Sequence, residues 1–214
     1  MKNIVLIGGG GHCKSVINSI KSKGEFNIVG ILDKSEKIGM YISNIKIIGD
    51  DFLAQEIFSK ECKYAFITLG SIGDTAKREN LYKYIKSIGF IFPNIIDNTA
   101  IVSDDSTISE GVFIGKGSIV NSGVRIGRNV IVNTGSILEH DVEISDFVHV
   151  ATGSVVCGDS KVLSGSHIGA GVVIIQSIMI GERTIIGAGS VVTKDVGSYK
   201  KAYGNPCREV GINE

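Results

Sequence analysis

A chain of 214 residues with 43% hydrophobic content fits one large globular domain or two modest ones, and 22 basic against 22 acidic residues leave no net field to gather a nucleic acid. There is no dense Lys/Arg run to suit a membrane surface. The apolar stretch Ile4 to Gly8 is too short for a signal peptide or a spanning segment, so a cytoplasmic protein without membrane insertion is expected.

Residues 1 to about 90 alternate between short β-branched runs and helical patterns, with strands predicted at 4–7, 28–32 and 64–69 and helices at 14–22, 52–59 and 77–87. That order reads as a small Rossmann-like α/β unit with a parallel sheet, about half the size of a full dinucleotide-binding fold. After the first strand comes Gly8-Gly9-Gly10-Gly11-His12, where backbone N–H groups and a helix dipole can bind phosphate. A dinucleotide fingerprint would need glycine where Cys13 stands, so NAD is not expected. The alternative for His12 is a helix cap, and for Asp33 a strand-end turn. Phe92-Pro93-Asn94 is a turn-like break that divides the chain into domains 1–94 and 95–214.

Beyond the break an aliphatic residue returns every sixth position, sixteen times without a skip, from Val102 to Val192. Two residues before each, only Ala, Ser, Thr, Val or Ile occurs. A period of six fits neither an amphipathic helix nor an alternating strand and is the signature of a hexapeptide parallel β-helix. Three hexads make one coil of 18 residues, so residues 18 apart stack.

The repeat is violated in chemistry, though not in length, at Glu139-His140-Asp141. His140 is the candidate general base, because an ordinary histidine pKa near about 6.5 suits proton removal at neutral pH. Either Glu139 or Asp141 could orient its ring. His149 and His167, 18 residues apart, should stack on one edge, while His140 and His149, half a coil apart, should lie on different sides of one subunit. A site that uses both would form between subunits, which predicts a homotrimer. The four cysteines, Cys13, Cys62, Cys157 and Cys207, form no CxxC and are expected to be reduced thiols with no metal.

These residues together resemble the bacterial sugar acetyltransferases of the left-handed β-helix class, the sialic acid O-acetyltransferases and the N-acetyltransferases of nucleotide-linked 4-amino sugars. The resemblance rests on the glycine run ending in His12, Gly70-Ser71-Ile72-Gly73-Asp74 with Arg78, Phe92-Pro93-Asn94-Ile95-Ile96-Asp97, Glu139-His140-Asp141, Asp146-Phe147-Val148-His149-Val150, and Gly204-Asn205-Pro206-Cys207-Arg208. It implies acetyl-CoA as co-substrate, His140 as general base supported by Asp141, and acetyl-CoA contacts at His149, Gly158, Ala170, Ala188 and Arg208. The N-terminal domain would hold a nucleotide-linked sugar through Gly10, Gly11, His12, Asp33, Gly70 and Arg78. The implied reaction is N-acetylation of a nucleotide-linked amino sugar for a surface glycan. Ser71 and Lys34 depart from the amino-sugar pattern and lean toward the alternative, O-acetylation of a sialic-acid-like sugar. A non-catalytic trimeric nucleotide-binding scaffold is the reading from another class.

Overall fold

Strand β1 (Lys2–Ile7) buries Ile4, Val5, Leu6 and Ile7, which places it inside a sheet. It pairs in parallel with β2 (Phe26–Leu32) and β5 (Tyr64–Ile67) on its two sides. Helix α1 (Gly11–Lys23) crosses between β1 and β2, burying Cys13, Val16, Ile17 and Ile20 at the spacing of one helix face, and it ends at Gly24 in the left-handed region. Helices α2 (Ala54–Ser59) and α3 (Ala76–Ile88) complete this unit with a hairpin, β3 (Tyr41–Ile42) and β4 (Ile45–Gly49), giving sheet order β3-β4-β2-β1-β5. The hairpin was missed in the sequence. Its two turn residues, Ser43 and Asn44, both take positive φ, as a primed turn requires, yet neither is the glycine that usually signals one.

The structure, a computed structural model describing Met1–Asn213, forms two compact units: Met1–Gly70 with Ala76–Ile95, and Ser71–Thr75 with the chain from Ile96 onward. In the second unit every aliphatic member of the sixfold run is the second residue of a two-residue strand, from β7 (Ile101–Val102) to β22 (Val191–Val192). One more strand precedes them, β6 (Ile95–Ile96), a full hexad before Val102. Each strand pairs in parallel with the strand 18 residues away, as Ile119 does with Ile101 and Ile137. The result is three sheets, and the aliphatic residues from Ile114 to Val192 are buried between them in a single core.

Every corner is turned in the same way. From Gly111 to Gly189 each sixth residue has positive φ, eight of them glycine and the others Asn129, Asp141, Phe147, Asp159, Ser177 and Arg183. Serines two residues before the aliphatic position turn inward and donate to carbonyls of the next coil, as Ser154 Oγ does to Gly169 O at 2.8 Å and Ser166 Oγ to Gly181 O at 2.7 Å. Buried hydroxyls are thereby satisfied without interrupting the core.

The three outer faces differ chemically. The first, on the strands of Val102, Val120, Leu138, Val156, Ile174 and Val192, carries outward Ile101, Ile119, Ile137, Val155, Val173 and Val191, directly stacked. The second carries the ion-pair ladder Arg125–Glu143–Lys161, at 2.6 and 3.1 Å. The third carries Phe113, Ile131, His149, His167 and Ile185, and the Ser71–Thr75 segment lies against it. The chain closes with the antiparallel pair β23 (Lys200–Gly204) and β24 (Cys207–Ile212), joined to the third face.

Candidate active site

Leu138 ends a strand of the first face, so the chain leaves the sheet at Glu139 and turns through His140 and Asp141. The corner requires positive φ at residue 141. Aspartate takes it at 62°, a conformation its short polar side chain tolerates better than most. The carboxylate Oδ2 then lies 3.0 Å from His140 Nδ1. A carboxylate can only accept, so Nδ1 donates and Nε2 keeps an open lone pair. Glu139 points elsewhere, its Oε2 accepting Asn121 Nδ2 at 3.0 Å. Of the two carboxylates left open by the sequence, Asp141 is the one on the ring.

The hydrogen bond with Asp141 raises the His140 pKa above the usual histidine value. Partial desolvation pulls the other way, and the charges of Asp141, Glu139 and Asp159 add to the rise. The ring is exposed, with 65% of its side-chain surface open to solvent. Its position depends on a glycine one coil on: a Cβ at Gly158 would come within 2.5 Å of His140 Cε1 and 2.6 Å of Nε2. One coil before, a Cβ at Gly123 would meet Asp141 Oδ1 at 2.5 Å. Gly158 and Gly123 thus make room for the pair. Gly123 was not singled out in the sequence, though the 18-residue ruler points to it from Asp141. Beside them burial, with the nearby Glu139 charge, pushes the half-buried Cys157 thiol up, so it remains protonated at neutral pH and is a poor nucleophile.

His149 occupies the third face, away from the His140 corner of the same chain. Its Nδ1 donates to Ser71 O at 3.1 Å, which leaves Nε2 to accept Asn133 Nδ2 at 3.3 Å. Both contacts fix the orientation of the ring. His167 stacks edge-on against it, ring centroids 4.9 Å apart. Burial lowers the His167 pKa, against a smaller opposing effect of the Ser71 backbone.

The other expected acetyl-CoA residues lie apart from His140. Ala170 and Ala188 are exposed at the corner after the third face, where the left-handed positions are all glycine: Gly117, Gly135, Gly153, Gly171 and Gly189. An added Cβ at any of those five would meet nothing within 4 Å, so this edge is smooth and open. Arg208 is exposed on β24, one guanidinium N–H donating to Cys207 O at 2.8 Å.

In the first unit Asp33, at the end of β2, accepts from Gly9 N at 2.7 Å, Lys34 N at 2.8 Å and Lys37 Nζ at 2.9 Å. Burial pushes its pKa up, but the Lys37 hydrogen bond, the two backbone N–H groups and the Lys37 charge outweigh that and hold the carboxyl below its usual range. The Gly9 N–H is therefore already bound within the chain. Gly10 caps α1 without a side-chain bond, Gly10 and Gly11 are exposed, and His12 is half-buried in the first turn. Gly70 is exposed after β5, and Arg78 is buried in α3, where desolvation pulls its guanidinium down to about 10. A cavity of about 790 Å³ opens beside Asp33; Gly10, Gly11, His12, Gly70 and Arg78 do not line it. Among the described residues no group of three or more His, Cys, Asp or Glu is placed to hold a metal ion, and no helix is long and apolar enough to cross a membrane.

Two family profiles match: the PglD N-terminal domain over residues 3–85, and the bacterial transferase hexapeptide (six repeats) over 105–140 and 159–194. A mutant of perosamine N-acetyltransferase from Caulobacter crescentus, solved with CoA and GDP-perosamine, is 30% identical with a TM-score of 0.92, covering 99% of this chain and 98% of that one. The acetyltransferase domain of PglB from Neisseria gonorrhoeae, solved with acetyl coenzyme A, is 25% identical with a TM-score of 0.91, covering 98% of this chain and 99% of that one. WeeI from Acinetobacter baumannii, 24% identical with a TM-score of 0.86 over 98% of this chain and 100% of that one, shares the fold. No curated protein sequence matches the chain.

Proposed function

Because the chain belongs to the left-handed β-helix family of bacterial sugar acetyltransferases, we propose that it acetylates the amine of a nucleotide-linked amino sugar, with His140 as general base. It is an acetyl-CoA-dependent enzyme, and acetyl-CoA is its co-substrate. One observation carries the assignment of the base: the Asp141 hydrogen bond to Nδ1 leaves Nε2 of an exposed imidazole open, over a glycine that holds no side chain in its way.

The amine lone pair attacks the thioester carbonyl carbon, forming the C–N bond while the carbonyl π electrons move to oxygen. His140 Nε2 takes the proton from the amine. Collapse of the tetrahedral species breaks the C–S bond, and the proton on Nε2 goes to the departing thiolate. The imidazolium formed between these steps is stabilised by Asp141, which makes the base stronger without changing its tautomer. A backbone N–H at Gly158 is the donor for the developing oxyanion, a site where a fixed dipole has most effect.

The working assembly is a trimer. Its supporting observation is the first face, where six outward Ile and Val residues stack without a polar group between them and Ile101 is 65% exposed. Burying such a stripe against a second copy is favourable at about 25 cal/mol per Å². The stripe runs beside the His140 corner, so packing there brings a neighbour's surface to the catalytic ring. The smooth glycine edge with Ala170 and Ala188, ending near Arg208, is the surface offered to the pantetheine arm and phosphates of acetyl-CoA. His149 acts there in the orientation that the Asn133 and Ser71 contacts give its ring. Acetyl-CoA and nucleotide sugars both belong to the cytoplasm, which is where we place the reaction.

The test is incubation of the purified chain with acetyl-CoA and a panel of nucleotide-linked amino sugars and sialic-acid-like sugars, read by mass spectrometry. Acetylated amine product is expected. Product only from the hydroxyl acceptors would replace N- by O-acetylation, and no product with any acceptor would remove the enzymatic reading. His140→Ala should keep the oligomer and lose at least about a hundredfold in turnover.

A further inference from the structure

The cavity of about 790 Å³ in the first unit is lined by carboxylates, lysines and aromatic rings. Its four carboxylates come from Asp33, Glu36, Asp50 and Asp51, but they are not equivalent. Asp33 is filled by its three donors. Asp50 accepts Phe52 N at 3.2 Å through Oδ1 and Ser35 Oγ at 2.9 Å through Oδ2, and Glu36 pairs with Lys34 at 3.8 Å. Asp51 lines the cavity half-buried. Burial raises its pKa, the Lys77 charge opposes that, and Asp50 and Asp33 add to the rise. A carboxylate in that condition gains from a ligand that donates to both of its oxygens. Two aromatic side chains stand at the same cavity, Phe52 at 84% exposure and Tyr84 at 38%, and large exposed rings of this kind are platforms for stacking a base.

We infer that this cavity takes the base of the nucleotide-linked sugar and that Asp51 selects guanine by accepting from its N1–H and N2–H. The inference rests on the nucleotide-sugar reading above. Guanine alone among the common bases presents two adjacent N–H donors on its pairing edge, and they match the two oxygens of one carboxylate in a bidentate, charge-assisted pair. Uracil offers one N–H flanked by two carbonyl oxygens, which would face the carboxylate with like partial charge. Cytosine and adenine offer an amino donor beside a ring-nitrogen acceptor, so each would leave one carboxylate oxygen opposed to a lone pair. Phe52 and Tyr84 add attraction without choosing among the bases. Lys34 and Lys77, at the same cavity, supply positive charge for the diphosphate.

The experiment is equilibrium binding of GDP, IDP, UDP, CDP and ADP to the full chain, repeated with Asp51→Asn and Phe52→Ala. GDP is expected to bind at least about tenfold more tightly than the pyrimidine and adenine nucleotides, with IDP, which lacks the N2 amino group, in between. Asp51→Asn should erase the preference for GDP with its melting temperature unchanged, and Phe52→Ala should weaken all nucleotides alike. Equal or tighter binding of UDP or CDP, or an unchanged preference in Asp51→Asn, overturns the assignment of guanine and leaves the nucleotide-sugar reading standing. Absence of binding by every nucleotide, in protein that still binds acetyl-CoA, overturns both.

Discussion

The imidazole of His140 lies against Gly158, eighteen residues on, so closely that a single methyl group at 158 would come to 2.6 Å from Nε2. Gly158→Ala should therefore displace the ring. Because the ring is exposed and its side chain can rotate away, the fold loses little, while the proposed base leaves its position. A fall of about tenfold or more in kcat/KM with a melting temperature within a degree or two of the parent is expected. Normal kinetics in Gly158→Ala would show that the contact does not position the base.

Asp141→Asn isolates the charge from the geometry, since an amide oxygen can still accept from Nδ1. Asp141 raises the His140 pKa, so its neutralisation lowers that pKa and keeps the ring unprotonated to lower pH. The acidic limb of the kcat/KM profile should move to lower pH, with a smaller plateau because the imidazolium formed during transfer is less stabilised. A limb that stays in place would mean that another group sets it.

His167 gives stability a pH dependence. Its folded pKa is lowered by burial, so as pH falls below the ordinary value near about 6.5 the unfolded chain takes up the proton first and the folded state loses stability. The loss continues until pH reaches the folded pKa and is constant below it. Thermal melts between about pH 8 and pH 5 should show this slope, and His167→Phe should flatten it. Equal slopes in the two proteins would assign the dependence to other groups.

The apolar first face predicts assembly. Ile137→Glu places a carboxylate in the middle of the stacked Ile and Val stripe, at a position the core does not use. Sedimentation should then report a smaller species than the parent protein gives, and acetyl transfer should fall with it although His140 is untouched. An unchanged mass would locate the interface on another face.

The parts of the fold legible in the sequence were those governed by one strict spacing. Sixteen aliphatic positions predicted sixteen strands, and the stack of His149 on His167 followed from the same count. The hairpin around Ser43 and Asn44 was not legible, since its turn lacks glycine and its strands are short. β6 was missed because Asn94 stands where the run otherwise has a small or aliphatic residue. At the candidate site, charge interrupts the hexads visibly at Glu139, His140 and Asp141, but which carboxylate meets the imidazole depended on which one Asn121 holds. The sequence offered the glycine run as a phosphate loop. That Gly9 N–H is occupied by Asp33 is a long-range fact with no local signal.

The left-handed turn residue that recurs from Gly111 to Gly189 sets a conflict at one position. Glycine adopts that backbone freely, whereas any side chain there costs some stability. Selection for a more heat-resistant protein can convert Ser177 or Arg183 to glycine, since no chemistry has been assigned to either. At Asp141 the same change would ease the corner and discard the carboxylate that directs the base. Lineages of this protein should thus drift toward glycine around the coils while residue 141 stays acidic, a conformational cost that the proposed role of His140 would retain.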